Sequence, residues 1–196
     1  MIVSKLNSFN FTCYILLNQI SKKQMKNNIK IRPALFEDLT SIVTIYNQAI
    51  RSRKATGNLW EFTVKQRVEW FKKHNLDEFP IYVAELNGEV VGYVNLSEYR
   101  PGREAMAKIA EVSFFLDDEQ KRKGIGSALL EHVIKDCSRI GKNTLLAFLL
   151  DANFESIKLL TKYGFIEWGR LPTTINIDDK VHDHLIYGLK VKESTI

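Results

Sequence analysis

A mixed α/β domain is the fold class the sequence predicts, and three features predict it. Two β-rich runs flank the dipeptide Asn87-Gly88, the strongest short hairpin signal a sequence can carry. Apolar residues recur at three- and four-residue steps in several segments, as they do on one face of a helix. A glycine-started helical segment leads into an unbroken apolar run at 144–150, completing a strand, loop, helix and strand unit. The 196 residues, 45% hydrophobic and 26% charged, suffice for one domain with its own core.

Residues 1–28 contain no acidic residue and no period long enough to bury a face, and they run into an Asn/Lys-rich stretch. We read them as an appendage, with Met25 a candidate initiator. Asn7, Asn10 and Asn18 interrupt the apolar stretch and Ser21-Lys22-Lys23 follows it, which argues against a secretory signal. The domain is expected over 29–192. Ile29 to Pro33 alternates as a short strand stopped by proline, and Asp38 stands where an N-cap would start a helix. Leu39, Ile42, Val43, Tyr46, Ala49 and Ile50 line one face of that helix. Val64, Val68, Phe71 and, further upstream, Trp60 suggest a second.

Strands are expected at Ile81–Leu86, Val90–Leu96, Ile109–Leu116 and Thr144–Leu150, the last reading as buried on both faces. Between the third and fourth, Gly124 to Gly141 carries a stripe of Leu129, Leu130, Val133, Ile134, Cys137 and Ile140. A shorter helix, Phe154 to Tyr163, ends at Gly164, and final strands are expected at Phe165–Leu171 and His184–Val191.

Composition narrows the function classes. The longest apolar run is far below the roughly 20 residues a membrane-spanning helix requires. Two cysteines, Cys13 and Cys137, build neither a disulfide framework nor a zinc site on paired cysteines, and point to a reducing cytoplasm. Net charge is +5, which on its face invites a polyanion such as nucleic acid. Residues 1–32, however, hold six basic side chains and no acid, so the remaining 164 residues carry 22 basic and 23 acidic groups. The domain is essentially neutral, and nucleic acid and membrane are not expected as partners.

Its one compact basic cluster borders the most informative segment. Lys121, Arg122 and Lys123 precede Gly124-Ile125-Gly126-Ser127, where two glycines open an amphipathic helix directly after a strand. Glycines let the backbone approach an anion, and a helix start offers unpaired N–H groups at a positive dipole end. A lone G-x-G reads more often as a simple turn. Here a dinucleotide fold would want a third glycine and an acidic ribose ligand, and a P-loop would want G-K-[ST]; both are missing.

The segment resembles the cofactor loop of the GCN5-related N-acetyltransferases, [QR]-x-x-G-x-[GA] at the start of a helix after a central strand. Lys121 stands where the family usually has Gln or Arg. Asn153-Phe154-Glu155-Ser156 and Lys162-Tyr163-Gly164-Phe165 resemble two further family signatures. The resemblance spans about Ile29 to Lys192 and is closest to the phosphinothricin and methionine sulfoximine acetyltransferase group. It implies a central, mostly antiparallel sheet split around the cofactor and flanked by about four helices. It also implies acetyl-CoA as co-substrate, with pyrophosphate on the N–H groups of Arg122 to Ser127 and pantetheine along Phe114, Phe115 and Leu116. Asn153 would face the pantetheine arm, cap its helix, or do both. A small-molecule amine is the implied acceptor and a homodimer the implied assembly.

Transfer from a thioester to an ammonium needs a base and donors for the developing oxyanion. Glu111 is the candidate base: it interrupts an apolar strand, where desolvation would raise its pKa, and it matches the group's catalytic glutamate. A strand glutamate meeting solvent is the plainer alternative. Backbone N–H groups near Phe114 and Phe115 would serve the oxyanion. The family's usual leaving-group tyrosine falls at Leu160, and Tyr163 stands three residues later. Arg100 and Arg103 resemble the arginines that hold an acceptor carboxylate, a task suited to guanidinium forks. His182 is a candidate pocket residue. His182, His184 and Asp183 lack a third ligand of convincing spacing, so no metal is expected. His74 and His132 read as helix-surface residues and Cys137 as a buried thiol. The same fold could instead acetylate a protein or an aminoglycoside, or bind CoA without catalysis.

Overall fold

The computed structural model describes residues 29–192, so the reading of 1–28 as an appendage lies outside the described residues. Among the described residues seven strands and four α-helices follow one another: β1 (Ile29–Pro33), α1 (Leu39–Arg51), α2 (Val64–Lys72), β2 (Ile81–Leu86), β3 (Glu89–Glu98), β4 (Ile109–Leu116), α3 (Ile125–Asp136), β5 (Thr144–Leu150), α4 (Phe154–Lys162), β6 (Ile166–Ile177) and β7 (Lys180–Lys190). They form one sheet in the order β1-β2-β3-β4-β5-β7-β6. Every pairing is antiparallel except β4 with β5.

That parallel pair is the feature that makes a site. β4 and β5 pair only at Ile109–Glu111 against Thr144–Leu146, although β4 continues to Leu116 and β5 to Leu150. Beyond Glu111 and Leu146 the strands diverge, and the facing main-chain groups lack a strand partner. Buried backbone N–H and C=O groups are rarely left unpaired in proteins, so such a split is a place for a polar ligand.

Alternation along the strands divides the core in two. Ala110 and Val112 of β4 and Leu145, Ala147 and Leu149 of β5 face one way, where α3 and α4 cover them with Leu129, Leu130, Val133 and Leu160. On the other side α1 supplies Ile42, Ile45, Tyr46 and Ile50 against Ile81, Val83 and Tyr93. Glu111, Ser113 and Phe115 have the parity of this second face.

Four expectations need correction. Asp38 holds the N-cap position of α1 as expected, but its side chain makes no cap bond: the carboxylate accepts from the Leu35 N–H at 2.7 Å and from both terminal nitrogens of Arg32 at 2.6 and 2.9 Å. Trp60 is not part of α2; it is 80% exposed in the preceding loop, and Thr63 starts the helix with a capping box to Gln66. The Gly124–Gly141 helix stops at Asp136, because Cys137 to Gly141 turn back and the Lys142 N–H reaches the Cys137 carbonyl. β6 and β7 extend past their expected ends to a two-residue turn, Asp178-Asp179, both at positive φ. Asp tolerates that conformation, and the irregular pairing between Leu171 and Ile175 hides the alternation from the sequence.

Candidate active site

A cleft of about 710 Å3 occupies the split. One wall is the end of β4, with Phe114, Phe115 and Leu116; the floor is the start of α3 from Gly124 to Ser127; the far wall is Ala152, Asn153 and the first turn of α4. Lys121 and Arg122 stand at its rim. The end of α1 and the loop after it close the remaining side through Ala49, Ser52, Lys54 and Ala55, which the sequence reading did not foresee.

The glycines explain the loop. Gly124 sits at φ +87° with open space where a Cβ would be, so its conformation, not crowding, requires glycine. Gly126 shows the opposite constraint: a Cβ there would stand 2.9 Å from Leu159 Cδ2 and 3.3 Å from Leu116 Cδ1. The helix start is therefore pressed against both walls, and its first-turn N–H groups open toward the cleft. Lys121 is paired to Asp118 at 2.6 Å, and Lys123 turns to Gln120 Oε1 at 2.7 Å rather than lining the cleft. Gln48 of α1 bonds both Asp117 and the Asp118 N–H, tying the turn to the opposite wall.

Asn153 caps α4 as expected, its side chain accepting from the Ser156 N–H at 3.3 Å, and it also lines the cleft. Leu160, at the position of the family's tyrosine, has no exposed surface. The Tyr163 hydroxyl donates to the Ser127 carbonyl at 3.1 Å and braces the start of α3.

Glu111 is the last β4 residue paired to β5, at the point where the strands part. Burial raises its carboxyl pKa, partly offset by a hydrogen bond from Ser113. Opposite it in register stands Ser97, and opposite Ser113 stands Asn95, so four polar residues form an island on this face. Stacked rings of Tyr99 and Phe148, 6.3 Å apart, approach the same face from the β3 and β5 sides. Neither ring was singled out from the sequence.

Arg100 and Arg103 lie exposed on the loop between β3 and β4, away from the cleft lining and without an ion pair among the described residues; Arg100 reaches over Tyr99 with positive φ. His182 is also outside the cleft, bonded through Nδ1 to Asp151 Oδ1 at 2.8 Å. The other histidines correct the surface reading. His132 packs edge-on against Tyr82, and His74 is half-buried with Nδ1 at 2.8 Å from the Trp70 carbonyl. Burial lowers the pKa of both. Cys137 is buried as expected, its thiol pushed up to about 12. Among the described residues no group of three His, Cys, Asp or Glu is placed for a metal, and no helix is long and apolar enough to cross a membrane.

Comparison with known proteins agrees with this geometry. The Acetyltransferase (GNAT) family matches residues 39–165. The chain belongs to this family. Among its relatives, a Bacillus subtilis protein named as a candidate phosphinothricin acetyltransferase, YwnH, is 38% identical over 81% of the chain and 96% of its own length. An L-methionine sulfoximine/L-methionine sulfone acetyltransferase of Pseudomonas aeruginosa is 33% identical, covering 72% of this chain and 83% of that one. A Sinorhizobium meliloti phosphinothricin acetyltransferase solved with acetyl-CoA superposes with a TM-score of 0.79 at 28% identity, over 86% and 91% of the two chains. This acetyltransferase thus has the expected mixed α/β fold, with its mostly antiparallel sheet and four helices.

Proposed function

We propose that the enzyme moves the acetyl group of acetyl-CoA directly to the primary amine of a small molecule that also bears a carboxylate, an amino acid or an analogue of the phosphinothricin or methionine sulfoximine kind. The observation that carries this reading is Glu111: a desolvated carboxyl at the fork of the two strands whose divergence opens the cleft.

The residues present fit acetyl-CoA. Unpaired main-chain edges of β4 and β5 suit the amide-bearing pantetheine arm, with Asn153 beside it, and the α3 N–H groups with Lys121 and Arg122 suit the pyrophosphate. The co-substrate supplies an acetyl group already activated as a thioester. Glu111 takes a proton from the ammonium so that the amine nitrogen becomes nucleophilic, and burial, by raising its pKa, makes the carboxylate a stronger base. Main-chain N–H groups near Phe114 and Phe115 stabilise negative charge at the carbonyl oxygen. With Leu160 in place of tyrosine, the thiolate leaves without a side-chain acid.

Arg100 and Arg103, both without an acidic partner among the described residues, are the proposed carboxylate holders, and His182 a pocket residue. The substrates for which the relatives are named, phosphinothricin and methionine sulfoximine, support an amino-acid-like acceptor. The proposed catalytic unit is 29–192, acting in the cytoplasm as a homodimer without a metal or nucleic-acid partner. Release of free thiol from acetyl-CoA tests the reading across methionine sulfoximine, phosphinothricin and their decarboxylated amines, with an aminoglycoside and a peptide amine as competitors. The expected result is turnover of the amino acids and at least tenfold lower kcat/KM for the decarboxylated forms. Preference for the aminoglycoside or the peptide contradicts it.

A further inference from the structure

The polar island around Glu111 contains a hydrogen-bond chain whose direction is fixed. His74 Nδ1 lies 2.8 Å from the Trp70 carbonyl oxygen, which can only accept, so Nδ1 carries a proton. A neutral ring then has a bare Nε2, and Nε2 stands 3.5 Å from Ser97 Oγ. Ser97 therefore donates to His74. The same hydroxyl accepts from Asn95 Nδ2 at 3.2 Å, and Asn95 is itself only 5% exposed. With its proton committed to His74 and one lone pair to Asn95, Ser97 keeps one lone pair. Ser97 is directly opposite Glu111 in the β3–β4 register, on the same face, where cross-strand Cβ atoms lie about 4.5–5.5 Å apart.

We propose that Ser97, oriented by His74, is a second acceptor beside Glu111 for the N–H groups of the incoming amine, with His74 a positioning residue acting through it. The inference rests on the acetyl-transfer reading above and deepens it: the site recognises the nitrogen as a protonated primary amine through two acceptors on adjoining strands. The proton balance is simple. The ammonium gives one proton to Glu111 before attack, the second proton lost from the nitrogen as the adduct collapses goes to the departing thiolate sulfur, and Ser97 accepts a hydrogen bond throughout without changing its own proton.

The device depends on the protonation state of His74. Burial and the guanidinium of Arg67 on the preceding α2 disfavour the imidazolium, and Ser97 on β3, with Glu111 one strand beyond, is what the ring faces across the sheet. When His74 is protonated, Nε2 becomes a donor, the Ser97 hydroxyl turns its hydrogen toward the site, and a cationic amine meets a donor instead of an acceptor.

Steady-state kinetics of Ser97→Ala, His74→Phe and His74→Gln, with methionine sulfoximine as acceptor, test the proposal. Ser97→Ala and His74→Phe are expected to raise the amine KM about tenfold while leaving the acetyl-CoA KM within twofold, and the double variant is expected to be no worse than either single. His74→Gln offers Ser97 a carbonyl oxygen that does not titrate. It should retain amine KM within threefold at pH 7.5 and lose one ionisation, below pH 6.5, from the acid limb of kcat/KM. An unchanged amine KM in Ser97→Ala, or an unchanged acid limb in folded His74→Gln, overturns the proposal while wild-type turnover stands. Absence of turnover by the wild-type enzyme overturns both it and the acetyl-transfer reading.

Discussion

Replacing Gly124 with alanine isolates the cost of one backbone conformation. The residue sits at φ +87° as the N-cap of α3, and a Cβ there would touch nothing within 4 Å, so the substitution adds no clash. What it adds is the left-handed penalty of an L-residue, about 1–2 kcal/mol. That energy can appear in two places. If the loop holds its shape, the folded state carries it, and Tm falls by about 2–4 °C per kcal/mol for a chain of this size. If the loop relaxes instead, Tm is preserved and the cradle must be re-formed on binding, which weakens acetyl-CoA by roughly 5- to 30-fold. Differential scanning calorimetry and titration calorimetry on the same sample read both quantities, and together they should account for about 1–2 kcal/mol. Gly124→Asn should recover a good part of the loss, because asparagine tolerates this region. An alanine variant unchanged in both Tm and acetyl-CoA affinity would refute the claim that this backbone shape forms the cofactor cradle.

Other substitutions separate roles that share a residue. Asn153→Ala removes the cap of α4 and should cost about 1 kcal/mol of stability together with acetyl-CoA affinity, whereas Asn153→Asp keeps the cap acceptor, holds Tm within 2 °C and still loses affinity; thermal melts and titration calorimetry distinguish them. Leu160→Tyr places a phenol where there is no room and should lower stability by about 1–3 kcal/mol without raising kcat; a gain in kcat would show that a leaving-group acid was the missing element.

How far the sequence reveals this molecule depends on how local the deciding physics is. β4 and β5 emerge with their observed bounds because their apolar runs end at polar turns, and the glycine-opened start of α3 is legible because glycine and helix start act within a few positions. The β6–β7 turn is not legible: Asp178-Asp179 lacks a glycine, and the irregularity after Leu171 breaks the period. The site beyond Glu111 is harder still. His74, Ser97 and Asn95 belong to an α2-to-β2 loop and a different strand, and only the β3–β4 register and the packing of α2 bring them to the glutamate. His74 beside two lysines looks like a surface residue until the sheet is built beneath it. The arginines are the reverse case, conspicuous in the sequence yet outside the cleft that the folded chain encloses.

Glu111→Gln, followed across pH, tests the central claim most directly. Burial raises the Glu111 pKa in the folded state, so the charged carboxylate disfavours folding as pH rises through that value, and the neutral glutamine should leave Tm at pH 7.5 equal or higher. Acetyl-CoA affinity should be unchanged. The rate with methionine sulfoximine at pH 7.5 should fall by about 10²- to 10⁴-fold and climb with pH as the amine loses its proton unaided. A Glu111→Gln enzyme that binds acetyl-CoA and acetylates the amine at the wild-type rate at neutral pH contradicts the account.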